Sequence, residues 1–131
     1  MIFDYYIFSE GSFKNISENG KPNGFQLKSR IPYYRGVPLS MVLDIDIKVD
    51  GKQVDRENIE FSPNDGEDWF TLNEMSTVSS YKWEFGKEAM IFVKMDGGLP
   101  KGEHEIALSI SIAVAYSKMP FMGERTRLVT V

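Results

Sequence analysis

Hydrophobic and polar positions alternate with a period of two along much of the chain. In residues 41–49, which read M-V-L-D-I-D-I-K-V, one face would carry the apolar side chains of Leu43, Ile45, Ile47 and Val49. The opposite face would carry Asp44, Asp46 and Lys48. This alternation predicts a β-strand with one face on a core and the other in water. The strand runs into Asp50-Gly51, a pair that predicts a hairpin turn because both residue types tolerate positive φ.

Short strands of this kind recur along the chain, separated by glycine-, proline- and asparagine-containing turns. The further candidates cover residues 2–8, 13–17, 25–31, 69–72, 81–85, 89–95, 105–116 and 126–131. Helix signals are limited to single turns at residues 55–59 and 72–75. Many short strands at turn spacings of about 8–12 residues predict an all-β fold, a single-domain immunoglobulin-like antiparallel β-sandwich over residues 1–131. Within it, the alternation in residues 82–85 predicts Trp83 and Phe85 on one face, in the core.

Composition narrows the class of protein further. A chain of 131 residues with 42% hydrophobic and 13% aromatic residues can fill one core. Its formal net charge of −4 lacks the basic footprint of a nucleic-acid binder, and no apolar run reaches the 18 or so residues of a membrane helix. Residues 1–10 contain Asp4 before any basic residue, which does not predict a secretory signal, so we expect a cytoplasmic protein without a membrane association.

The supply of chemically active residues is small. The chain has no cysteine and one histidine, His104, which we expect to be a structural or surface residue at the start of a strand. Asp44, Asp46 and Asp50 resemble the first half of a calcium loop, but Lys48 stands where an oxygen ligand is needed. A solvated strand face explains these aspartates better. The sequence therefore predicts no catalytic residue and no metal ligand in this chain.

Two segments stand out because they combine prolines with residue types that are frequent in protein–protein interfaces. The first, residues 30–40, contains Arg30, Pro32, Tyr33, Tyr34, Arg35 and Pro38. The second, residues 116–123, contains Met119, Pro120 and Phe121. Proline stops regular structure, and tyrosine and arginine are enriched at the cores of protein interfaces. The pattern alone leaves two alternatives open, since these aromatics could plug the ends of the sandwich or form a preformed binding surface.

Four stretches resemble the small β subunit of bacterial C-glycoside deglycosidases. They are R-I-P-Y-Y-R-G-V-P-L-S-M at residues 30–41, W-E-F-G at residues 83–86, the glycine-rich residues 97–104, and the tail at residues 116–121. In that family the small subunit is a β-sandwich that pairs with a larger (β/α)-barrel α subunit. The resemblance implies heterodimers that assemble into higher oligomers.

The resemblance also implies a reaction. The barrel subunit holds a divalent metal, commonly Mn²⁺, and the general base, whereas this chain holds no cofactor. The substrate is a C-glycoside, such as a flavonoid C-glucoside, already oxidised to a ketone at sugar carbon 3. Removal of the proton at carbon 2, followed by elimination, breaks the carbon–carbon bond to the aromatic aglycone, which makes the complex a lyase. The substrate would lie at or near the subunit interface, where the residues of the two proline-containing segments are candidates for contacts with the α subunit or the aglycone.

Two other functions are open to a sandwich of this size. A stand-alone carbohydrate-binding module could use Trp69, Trp83 and the tyrosines as a platform on which sugar rings stack. An adhesion domain is the third class, but it would normally carry an export signal. Binding of a sugar by the chain without a partner distinguishes the module from the accessory subunit.

Overall fold

The computed structural model describes residues 7–32, 35–113 and 119–131, and β-strands dominate this part of the chain. The strands are β1 (Lys14–Glu18), β2 (Lys21–Ser29), β3 (Val37–Pro38), β4 (Val42–Val49), β5 (Lys52–Gln53), β6 (Ile59–Ser62), β7 (Phe70–Thr71), β8 (Lys82–Trp83), β9 (Ala89–Lys94), β10 (Glu103–Ile112) and β11 (Phe121–Thr130). Helical structure in the same residues consists of the 3₁₀ turns Leu39–Met41 and Arg56–Asn58 and one α-helical turn, α1 (Leu72–Met75).

The strands form two larger antiparallel sheets and one small one. The five-stranded sheet has the order β1-β2-β9-β6-β7, the four-stranded sheet has the order β11-β10-β4-β5, and β3 pairs with β8. Four of the seven neighbouring pairs in the larger sheets join consecutive strands, and three join strands distant in sequence, among them β4 with β10 and β2 with β9. The predicted all-β antiparallel class is confirmed, and the immunoglobulin-like strand order stays a prediction.

A single hydrophobic cluster joins the two larger sheets. Leu27 of β2 and Ile91 of β9 contribute from the five-stranded sheet, and Ile47 of β4 with Leu108 and Ile110 of β10 contribute from the four-stranded sheet. Each of these side chains is at most 1% exposed. The inner faces of the sheets therefore pack against each other, and burial of this apolar area is the main stabilising contribution to the fold.

The alternation along β4 is confirmed for most of its length and is wrong at one end. Ile45, Ile47 and Val49 are buried as predicted, but Leu43 is 49% exposed and Val42 is buried in its place. The register of β4 against β10 shifts between Ser111 and Ile112, so that β4 has one extra residue there. Because of this β-bulge, the inward and outward positions before it no longer continue the alternation that follows it. The sequence of β4 alone does not reveal the bulge.

The predicted turns are confirmed, whereas the predicted bounds of several strands differ from the structure. The hairpin turn at Asp50-Gly51 is confirmed, with φ of 50° and 82°, and the helical turn at residues 72–75 is α1. The helical turn predicted at residues 55–59 is the 3₁₀ turn Arg56–Asn58, whereas the strand β6 that follows it was not predicted. Strand β11 begins at Phe121 rather than at Thr126. Part of the predicted strand 2–8 and the end of the predicted strand 105–116 lie outside the described residues.

The prediction for residues 82–85 is half right. Trp83 is 1% exposed and packs edge-on against Phe61, with 4.9 Å between the ring centroids. Phe85 is 56% exposed instead of sharing the core with it. Strand β8 is only two residues long, so the alternation ends before it reaches Phe85.

Candidate functional site

The two proline-containing segments, distant in sequence, contact each other in the fold. Pro32 follows β2 and is buried against β11 at Gly123. A Cβ atom added to Gly123 would lie 2.6 Å from Pro32 Cβ and 3.1 Å from Ile7 Cγ2. Only glycine permits this close approach. The structure thus places the start of the first segment beside the start of β11, directly after Met119 and Pro120.

The other end of the first segment is held by the small sheet. Val37 and Pro38 form β3 and pair with Trp83 and Lys82 of β8. Gly36 lies so close to this strand that an added Cβ would be 2.9 Å from the carbonyl oxygen of Trp83. Because Trp83 belongs to the core, the C-terminal end of the segment is fixed to the interior of the protein.

The predicted site residues of the first segment differ in their surroundings. Tyr33 and Tyr34 lie outside the described residues. Arg35 is exposed and Pro38 is half-buried. Arg30 is half-buried, and its Nε is a buried donor without a hydrogen-bond partner among the described residues. A buried donor left unpaired costs about 1–3 kcal/mol, so an acceptor for this N–H would stabilise the protein.

The second segment presents apolar surface. Met119 is 75% exposed, Pro120 is exposed, and Phe121 is half-buried as the first residue of β11. Met122, the next residue, is 43% exposed. Large exposed apolar side chains next to each other are typical of surfaces that contact another molecule.

His104 lies far from these segments and links three parts of the backbone. Its Nδ1 lies 2.7 Å from Asp50 Oδ2, and its Nε2 lies 2.8 Å from the carbonyl oxygen of Pro100. The other oxygen of Asp50 accepts a hydrogen bond of 2.8 Å from the backbone N–H of Glu105. His104 is the second residue of β10, which confirms the prediction of a structural residue at a strand start.

Both partners of the imidazole are acceptors, so both contacts are hydrogen bonds only when both ring nitrogens carry protons. The hydrogen bond to Asp50, with that to Pro100, raises the pKa of His104. The hydrogen bond from His104, with that from the Glu105 N–H, lowers the pKa of Asp50. Sequence analysis missed this link because Asp50 is 54 residues away and no local pattern joins the two positions.

A cleft of about 630 Å³ adjoins His104, between the β4–β5 hairpin and the loop after β9. Its described lining combines apolar residues with charges of both signs, including Lys52, Lys94, Asp55 and Asp96. No phenylalanine, tyrosine or tryptophan is among them, so this cleft lacks the ring surfaces on which sugars usually stack.

Comparison with known proteins identifies the family. The sequence matches the family model described as C-glycoside deglycosidase beta subunit (CGDB) over residues 3–116. The chain belongs to this family. A C-glycoside deglycosidase beta subunit from Eubacterium cellulosolvens is 37% identical over 105 residues, which cover 79% of this chain and 70% of that protein. A 3'-dehydrocarminate deglycosidase beta subunit from a Microbacterium species is 29% identical over 103 residues, covering 78% and 74%. The resemblance stated from residues 30–41 is thereby confirmed.

Membership in a family of beta subunits implies an alpha subunit and hence a heteromeric enzyme complex. The matched range contains the whole first segment with Arg30, Pro32, Arg35 and Pro38. It ends before Met119, Pro120 and Phe121, which are joined to the matched part through the contact of Gly123 with Pro32.

The tryptophans of this family member do not form a sugar-stacking platform. Trp83 is buried in the core, and Trp69 is half-buried with its ring edge-on to Phe92, at 6.4 Å between centroids. Tyr81 is also half-buried, and its hydroxyl donates a 2.9 Å hydrogen bond to Asp68. Within the described residues, the aromatic side chains that motivated a carbohydrate-binding module are thus engaged in packing.

The part of the chain that the structure describes brings no three His, Cys, Asp or Glu residues together as a metal site. The aspartates that resembled a calcium loop have other partners, since Asp44 pairs with Arg56 and Asp46 accepts a hydrogen bond from Gln53. In the same residues, none of the helices has the length and apolar character required to span a bilayer.

Proposed function

We propose that this chain is the small, non-catalytic subunit of a heteromeric C-glycoside deglycosidase, paired with a larger (β/α)-barrel alpha subunit. The observation that carries the proposal is the family match over residues 3–116. The small number of potential catalytic side chains in this chain also supports a non-catalytic role. A chain with one histidine and no cysteine, in which His104 is bound to Asp50 and Pro100, is poorly equipped for proton abstraction.

The proposed substrate is a C-glycoside, of the flavonoid C-glucoside type, oxidised to a ketone at sugar carbon 3. A base of the alpha subunit takes the proton from carbon 2, and the electron pair of that bond is delocalised towards the ketone oxygen. Elimination then breaks the bond between sugar carbon 1 and the aglycone, which leaves with the bonding electrons and is protonated. The name of the Microbacterium relative, which specifies a 3'-dehydro substrate, supports a substrate oxidised at this position.

The divalent metal of this reaction, commonly Mn²⁺, would stabilise the enolate oxygen and is assigned to the alpha subunit. The described residues of this chain do not fit such an ion, because they contain no group of three suitable side chains. No step that involves the metal is therefore assigned to the beta subunit, and its contribution is to bind the alpha subunit and to complete the surroundings of the substrate.

The first segment is proposed to dock on the alpha subunit near the mouth of the active site. There Tyr33, Tyr34 and Arg35 would be buried, while Arg30 would pair with a carboxylate, since a guanidinium group suits bidentate contacts. The second segment, Met119 to Phe121, would form a further contact or line the aglycone side. We further propose that the heterodimers assemble into higher oligomers in the cytoplasm.

The proposal is tested by producing this chain and the alpha subunit encoded in the same genome, alone and together. Size-exclusion chromatography with light scattering measures assembly and stoichiometry, and a 3-oxo-C-glucoside is assayed with each subunit and with the pair. We expect co-elution and cleavage by the pair only, with both weakened when Tyr34→Ala or Arg30→Gln is introduced. Separate elution together with cleavage by the alpha subunit alone would contradict the accessory role.

A further inference from the structure

The outward face of the four-stranded sheet has a flat centre. In β10, Ile106, Leu108 and Ile110 point into the core, so the alternate residues Ala107, Ser109 and Ser111 point outwards. These three small side chains run along the middle of the face, between β4 and β11. A partner can therefore approach the central strand closely. We refer to the outward positions of β4, β10 and β11 as the outer face.

Exposed apolar side chains are concentrated on this face. Among the described residues, the large hydrophobic side chains that are exposed are Leu43, Phe85, Met119, Met122 and Leu128. Met122 lies opposite Ser111, Leu128 lies opposite Glu105, and Leu43 precedes Asp44 in the bulge at the same end as Met122. Three of the five therefore lie on the outer face or at its border, and Met119 lies two residues before β11. Single exposed apolar residues are normal, whereas their accumulation on one face marks an interaction surface.

The outer face is also acidic. Five carboxylates hold outward positions on it: Asp44 and Asp46 of β4, Glu103 and Glu105 of β10, and Glu124 of β11. The cations beside them are Lys48 of β4 and Arg56, which pairs with Asp44. A second copy of this chain that docked with the same face would bring these carboxylates together. Such like-charge contact is unfavourable. The charge distribution therefore favours a different chain with a basic surface as the occupant.

The two proline-containing segments are small for a stable interface with the alpha subunit. A stable protein interface uses about 20–30 residues on each side, or about 800 Å² per partner. Residues 30–38 with Met119, Pro120 and Phe121 are too few to provide this area. The outer face meets them at β11, the end strand of its sheet: Met119 and Pro120 lead into this strand, Met122 lies on its outward side, and Pro32 packs against Gly123 on its inward side. The two areas therefore meet along one edge strand, and together they supply more of the residues that such an interface needs.

We propose that the outer face docks on a basic, partly apolar surface of the alpha subunit and extends the contact made by residues 30–38. This inference rests on the proposed function, because it takes the alpha subunit as the partner. The face contributes shape and charge, whereas the segment at residues 30–38 contributes the tyrosine and arginine side chains.

The test compares two face variants with a matched control in the co-expressed complex. Glu105→Lys and Leu128→Lys place a cation on the outer face, at opposed positions of β10 and β11. Glu18→Lys makes the same change of charge on an exposed residue of β1 in the other sheet. We expect each face variant to raise the Kd for the alpha subunit at least 10-fold and the control to change it less than twofold. Higher salt is expected to weaken the wild-type complex. Thermal unfolding of each lone variant verifies that it is folded.

The outcomes separate this inference from the proposed function. If the wild-type subunits neither associate nor cleave the substrate, the proposed function itself fails. If they associate and both face variants bind like the control, while Tyr34→Ala weakens binding, the outer face is not a docking surface and the proposed function stands. If the lone chain dimerises and Leu128→Lys abolishes only that dimer, the occupant is a second copy and the inference is overturned.

Discussion

His104 shows how a single side chain can connect distant parts of a β-protein. It joins the Asp50 turn, the start of β10 and the loop at Pro100 through two contacts of 2.7 Å and 2.8 Å. Its side chain is only 13% exposed, so water competes little for the ring nitrogens. Because both partners accept hydrogen bonds, the folded protein favours the protonated imidazole over the neutral one.

This preference makes stability depend on pH in a defined direction. The raised pKa of His104 adds stability that is complete below its ordinary value of 6.5 and is lost as pH rises through the folded-state pKa. The lowered pKa of Asp50 adds stability that is present above its ordinary value of 3.8 and is lost at lower pH. Between these two values the link contributes fully.

We therefore expect His104→Gln to reduce the free energy of unfolding most at about pH 5.5 and less at about pH 8.5, because the contribution of the raised pKa is lost as pH rises through the folded-state value. Urea unfolding of both proteins at the two pH values measures the difference. Glu103→Gln, on the opposite side of the same strand, is the control and is expected to have the same effect at both. An equal loss of stability for His104→Gln at both pH values would show that the charge is not involved.

For single residues, the sequence predicts the position in a strand better than it predicts the hydrogen-bond partner of the side chain. The place of His104 at a strand start and the outward position of Asp44 and Asp46 follow from local alternation. The partner Asp50 depends on the register of β10 against β4, which is set by packing of the whole sheet. The unpaired Nε of Arg30 likewise became visible only in the folded chain.

At the scale of elements, the contact of β11 with Pro32 is the narrowest fit around the candidate interface. Gly123→Ala would bring a methyl group to 2.6 Å from the Cβ of Pro32, whose ring cannot rotate away, and to 3.1 Å from Ile7. We expect a destabilisation of about 1–3 kcal/mol from overpacking, together with weaker binding to the alpha subunit, because Pro32 must shift. Thermal unfolding and subunit titration measure both effects. Ser17→Ala, at an exposed position of β1 in the other sheet, is the control, and a Gly123→Ala protein with wild-type stability would refute the close fit.

Element predictions succeeded where alternation is uninterrupted and both neighbours follow it. Strands β4, β9 and β10 satisfy this condition over most of their length. The exposed Leu43 shows where it fails, since the bulge is a property of the pair β4–β10 rather than of either sequence. Strand β6 was missed because its four residues follow a 3₁₀ turn and are buried at three positions, which removes the alternation.

At the scale of the whole molecule, the fold class was predictable and the arrangement of the candidate site was not. A period of two repeated along the chain is sufficient to indicate antiparallel sheets. The segments around Pro32 and Met119 were each recognisable, but their contact depends on how β11 lies relative to the end of β2.

The packing of the tryptophans leads to a prediction for the isolated protein. Since Trp83 is buried and Trp69 packs against Phe92, we expect no binding of glucose or of a C-glucoside by the chain alone at millimolar concentration. Isothermal titration calorimetry with and without the alpha subunit measures this. A Kd below about 1 mM for the lone chain, which corresponds to a binding free energy of about −4 kcal/mol or stronger, would favour the carbohydrate-binding module instead.

The fixed ends of residues 32–38 have a thermodynamic consequence for assembly. Pro32 is held by Gly123, and Val37 and Pro38 are held by β8, before any partner binds. These described residues at the two ends have little backbone entropy left to lose on association. We therefore expect the heat-capacity change of subunit binding to match the apolar area covered, without the additional decrease that accompanies the folding of a disordered chain.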